Sequence, residues 1–98
     1  MSNKEKKIKI SFPEKLRGGV YANQMNVLHT KEEFIMDFIL GNLPASTVNA
    51  RVIISPGHMK RIVRVLQDNM KKYEDKYGKI EEARPPKGKI GFSYPTKR

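Results

Sequence analysis

The chain has 98 residues, a net charge of +10 and no cysteine, enough for one domain with a modest core. A disulfide framework and thiolate metal sites are excluded, and 38% apolar with 31% charged residues places the chain among folded rather than disordered sequences. MSNKEKKIKI has charge but no apolar run behind it, so no signal peptide is expected from it. FIMDFIL at 34–40 is broken by Asp37 and is too short to cross a membrane; the expectation is a cytoplasmic protein with no membrane partner.

Charge is unevenly placed. Residues 1–18 carry six Lys/Arg against two acids, 19–54 two against three, 55–80 seven against three, and 81–98 five against two. A nearly neutral middle therefore lies between basic segments, a field that attracts polyanions.

In chain order, 1–6 reads as a basic tail, 7–80 as one α+β domain and 81–98 as a second basic tail containing Pro85-Pro86. Ile8, Ile10 and Phe12 alternate with Lys7, Lys9 and Ser11, which predicts a strand ended by Pro13. After Gly18-Gly19, residues 20–30 read as a second strand. Residues 30–40 admit two periods. Thr30 to Glu33 fits a capping box before a helix, but Phe34, Met36, Phe38 and Leu40 also alternate against Ile35, Asp37 and Ile39, and the aromatic and branched residues favour a strand. TVNARVII at 47–54 reads as a fourth strand. Ser55 is a natural N-cap and Pro56 a natural first helical residue. Met59, Ile62, Val63, Leu66, Met70, Tyr73 and Tyr77 then repeat at helical spacing until Gly78.

The expected architecture is a four-stranded antiparallel sheet with one long C-terminal amphipathic helix covering one face, flanked by strand-like basic tails. Phe34, Met36, Phe38, Leu40, Val48, Ala50, Val52 and Ile54 are assigned to the helix-covered face. The opposite face carries Ile35, Ile39 and Ile53 beside Asp37 and Arg51, which pair across adjacent strands; three isoleucines on a wet face predict a homo-oligomer interface, a dimer or higher. KIKISFPEK (7–15) and KIGFSYPTK (89–97) nearly repeat one another. They read as edge strands, as a chance likeness of lysine-rich termini, or as arms whose Phe12, Phe92 and Tyr94 stack on bases.

Chemistry has few candidates. His29 and His58 form no metal-ligand spacing, Ser55 has no base beside it, and no phosphate-loop pattern occurs. No enzyme activity, metal or cofactor is expected. A binding site is expected at the helix start, where Ser55, Gly57 and His58 offer a hydroxyl and free N–H groups and Lys60, Arg61 and Arg64 follow with no acid in the first two turns. Lys7, Lys9, Lys87 and Lys89 on the tails complete the candidate nucleic-acid contacts.

Several motifs carry a resemblance: Tyr21-Ala22-Asn23, His29-Thr30, Glu33-Phe34, Asp37-Phe38, Arg51 to Pro56, and Tyr73-Glu74 before Gly78-Lys79-Ile80. With them the chain is similar to short bacterial proteins catalogued as domain of unknown function 3467. His58 to Arg61 departs from that pattern through the inserted Gly57. The resemblance implies no reaction, because the family has no established activity; towards partners it points to transcription. Four antiparallel strands and a long helix also resemble the leading topology of the export chaperone SecB, an analogy of fold alone. The expected function is a non-catalytic, basic, oligomeric binding protein contacting nucleic acid or a nucleic-acid-associated protein machine. The alternative is a SecB-like module that holds polypeptides.

Overall fold

A computed structural model describes residues 6–42, 44–83, 91 and 93–95. A 3-10 turn at Glu14–Leu16 precedes strands β1 (Gln24–His29), β2 (Phe34–Asn42) and β3 (Ala45–Ile54) and helix α1 (Pro56–Tyr77). The sheet is antiparallel in the order β1-β2-β3. It has three strands where four were expected.

The missing strand is residues 7–12. Ile8, Ile10 and Phe12 are exposed and join no strand. Alternation describes where side chains point; a strand also needs an edge to pair with. Here Leu16 N–H donates to Pro13 O, Arg17 N–H to Glu14 O and Gly19 N–H to Leu16 O, so the chain winds into a turn. Arg17 lies over the Phe12 ring at 5.5 Å. The second nonapeptide lies mostly outside the described residues. With the fourth strand goes the element order shared with SecB.

The ambiguous segment 30–40 resolves as a strand. Thr30 Oγ1 accepts from the N–H groups of Glu32 and Glu33, so the capping-box residues close the β1–β2 connection instead of starting a helix. β2 and β3 pair from Phe34↔Ile54 to Phe38↔Ala50, then slip to Ile39↔Val48. That bulge leaves Asn49 unpaired and moves Val48 to the face of Ile39, opposite to its expected place. At the hairpin, Gly41 has φ +152°, and a Cβ there would lie 2.7 Å from Ala45 O and Ser46 Cα. Only glycine fits this close approach.

The helix is bounded as its sequence dictates. Ser55 Oγ accepts from His58 N–H, Pro56 opens the first turn, and Gly78 at φ 102° ends it with its N–H on Glu74 O. Its packing is another matter, because α1 does not cover the sheet. None of its residues is buried, with Leu66 56% and Tyr77 65% exposed. A single residue, Ser55, joins β3 to α1, so the helix leads off the strand end. Returning across the face would need a reversing loop, commonly of about two to six residues. Among the described residues only Met36 and Ile39 are buried hydrophobic residues.

Candidate functional site

Two places on this scaffold concentrate chemistry. The first is the sheet face that carries β2 residues Ile35, Asp37 and Ile39. Register places Asp37 between Asn26 on β1 and Arg51 on β3. Asp37 is fully buried. Arg51 Nε donates to its Oδ1 at 2.6 Å and Arg51 Nη2 to its Oδ2 at 2.8 Å. The Tyr94 hydroxyl donates to Oδ2 at 2.6 Å and itself accepts from Asn26 Nδ2 at 3.1 Å. The guanidinium, then the Tyr94 hydroxyl, hold the carboxyl down at about 2 against the burial that would raise it. The same pairing pushes Arg51 further up.

The Asp37–Arg51 pair was legible as a cross-strand partnership; Tyr94 was not. Ser93, Tyr94 and Pro95 line a cleft with Ile39, Ser46, Thr47 and Val48. Residues 93–95 therefore form a strap over this part of the face, with Tyr94 anchored, and no signal 57 residues away in sequence marked Asp37 as its partner. Of the residues expected to form an oligomer interface, Ile39 lies beneath the strap at 3% exposure, Ile35 is half-buried and Ile53 is 54% exposed.

This network is structural in character. A carboxylate saturated by three donors and held far below neutral pH is a poor base. Among the described residues no group of three or more His, Asp or Glu side chains could hold a metal.

The second place is α1. Side chains 100° apart along the helix put Met59, Val63, Leu66, Met70, Tyr73 and Tyr77 on one line, Lys60 on its flank, and Arg61, Arg64, Lys71 and Lys72 towards the opposite side. Lys60, Arg61 and Arg64 are exposed and, among the described residues, form no ion pair with an acid. Arg61 Nη2 lies 3.1 Å from His58 Nδ1, which joins His58 to this basic flank. Ser55 is the N-cap its sequence position predicts, and its hydroxyl and the His58 N–H are engaged with each other. Lys71 pairs with Asp75 at 3.2 Å, an exposed i,i+4 pair. Lys7 and Lys9 lie on the exposed, unpaired arm, and Lys87 and Lys89 lie outside the described residues.

The recurring motifs have structural roles. Asn23 uses its side-chain amide as a strand would use a peptide: Nδ2 donates to Gly41 O and Oδ1 accepts from Gly41 N–H, both at 3.3 Å. Asn49, at the bulge, donates to Tyr21 O at 2.7 Å. His29 stands against Phe34 at 5.7 Å between ring centres. Glu74 accepts from Ile80 N–H and turns the chain at the helix end.

The family described as "Protein of unknown function (DUF3467)" matches residues 1–82. The chain belongs to that family. Neither the curated proteins nor the solved structures contain a match. No helix among the described residues is long and apolar enough to cross a membrane.

Proposed function

We propose that this member of the DUF3467 family is a non-catalytic, self-associating binding protein of the cytoplasm. Its partner is nucleic acid or a protein machine bound to nucleic acid, such as that of transcription. The observation that carries the proposal is the sidedness of α1. Arg61, Lys71 and Lys72 lie round the helix from the apolar stripe, Lys60 and Arg64 border the groove that Met59 and Val63 line, and the first two turns contain no acid. From Lys60 to Lys72 this row covers about 18 Å of the helix, long enough to meet a few phosphates of one strand. Lys7, Lys9, Lys87 and Lys89 add positive charge at both ends of the chain.

The test is anisotropy of labelled single-stranded and duplex DNA and RNA over a salt series. Binding should weaken linearly in log–log form, and replacing Lys60, Arg61 and Arg64 together by Ala should reduce the slope by about 2 to 3. An unchanged affinity in that variant would remove the proposed site.

A polypeptide-holding function is the second reading. It is favoured by the open groove that Phe34, Pro56, Met59 and Val63 line beside the helix start. It predicts suppression of client aggregation that persists at high salt, where the nucleic-acid reading predicts none.

A further inference from the structure

We propose that the open sheet face and the open helix stripe are two halves of one interface between copies of this chain. In a two-fold dimer, each helix lies across the partner's sheet. This deepens the self-association in the reading above and stands apart from its nucleic-acid part.

Two apolar surfaces of one chain lack a cover. The sheet surface consists of Met25 and Val27 on β1, Met36, Phe38 and Leu40 on β2, and Val52 on β3. Apart from Met36 and the half-buried Phe38, these residues are about 40% exposed. On the opposite face the Tyr94 strap already lies over Asp37 and Ile39 and would obstruct a helix there, although Leu28 and Ile53 stay exposed; the Met25–Val52 face carries no such strap among the described residues. The helix surface is the line from Met59 through Tyr77, whose members are spaced 4-3-4-3-4.

Their dimensions agree. A 22-residue helix is about 33 Å long and about 10 Å across. The ten residues of β3 span a similar length, and three strands about 4.8 Å apart give a surface of about one helix width. The helix cannot occupy its own sheet, because Ser55 alone separates it from β3. A two-fold axis solves this by exchange, covering four open surfaces with two equivalent contacts.

The areas agree as well. The chain exposes 9736 Å², about 4,000 Å² more than a compact monomer of its mass. That total is taken over the whole chain; among the described residues the arm of residues 6–20, the open sheet face and the helix stripe all add to it. Obligate dimers bury about 2,000–5,000 Å² in all, within what two such chains have to offer. The charges do not oppose the exchange, since the receiving sheet face is built of Met25, Val27, Met36, Phe38, Leu40 and Val52. The basic side of each helix would then face outward.

Because the chain has no cysteine, engineered thiols are unique reporters. The variants Val52→Cys and Leu66→Cys alter exposed positions and leave the turns and caps untouched. Each is purified free of nucleic acid, and the two are mixed in equal amounts, exchanged through denaturant, refolded and oxidised at 0.5 M salt. The expected result is a covalent dimer in the mixture, several-fold more abundant than in either variant alone. Circular dichroism of each variant, matching that of the parent, establishes that it folds. Equal cross-linking of Leu66→Cys with itself would mean that helices pair with helices, and would overturn the proposal. So would the absence of cross-linking in folded variants whose light scattering reports monomers. Either failure leaves the salt dependence of nucleic-acid binding to be judged on its own.

Discussion

Replacing Tyr94 by Phe removes one hydroxyl and nothing else. That hydroxyl donates to the buried carboxylate of Asp37 at 2.6 Å and accepts from Asn26. A hydrogen bond to a charged group contributes about 1.5–3 kcal/mol. Tyr94 is itself 38% exposed, so water replaces part of the loss and the expected cost lies near 1–2 kcal/mol. For a domain of this size that lowers Tm by about 4–16 °C, read at fixed protein concentration by thermal circular dichroism. The acid limb offers an independent reading. Asp37 is lowered from 3.8 to about 2 in the folded chain, so the unfolded state binds its proton first as pH falls. The stability it contributes is complete above about pH 4 and disappears as pH falls towards 2. Without the Tyr94 hydroxyl the folded carboxyl titrates higher and a smaller acid-sensitive increment remains. In Asp37→Asn, Tyr94→Phe should cost much less than in the parent, since the charged acceptor has gone. A Tyr94→Phe variant with parental Tm and parental acid unfolding would refute the strap.

Other substitutions test the scaffold. Gly41→Ala places a Cβ 2.7 Å from the facing strand at a positive φ, and should cost at least about 2 kcal/mol in urea unfolding. Ser55→Ala removes the cap on His58 N–H and should cost about 1 kcal/mol, whereas Ser55→Asp should be close to neutral. Asn23→Ala deletes both hydrogen bonds to Gly41 and should cost about 1–2 kcal/mol, with faster hydrogen exchange at the Gly41 amide.

What was legible in the sequence was local. Ser55-Pro56 and Gly78 set the helix ends because capping is decided within a few residues. The branched and aromatic residues of 34–40 settled the period in favour of a strand, and Asp37 with Arg51 announced a cross-strand pair. What escaped was set by distant geometry. Residues 7–12 alternate like a strand but meet no edge. The bulge at Asn49 inverts Val48, an inversion no period-2 count detects. Tyr94 reaches Asp37 from the far end of the chain, within a segment whose likeness to residues 7–15 suggested strand pairing or base stacking. The amphipathic helix was legible as amphipathic; that its apolar side is left open follows from the one-residue link, whose consequence is spatial.

In the exchanged dimer proposed above, a single chain does not close its own core. Sedimentation equilibrium of the nucleic-acid-free protein at 0.5 M salt addresses it directly, over a range of loading concentrations. The mass should be twice 11.3 kDa wherever the protein is folded. A folded species of 11.3 kDa that persists across that range would contradict it.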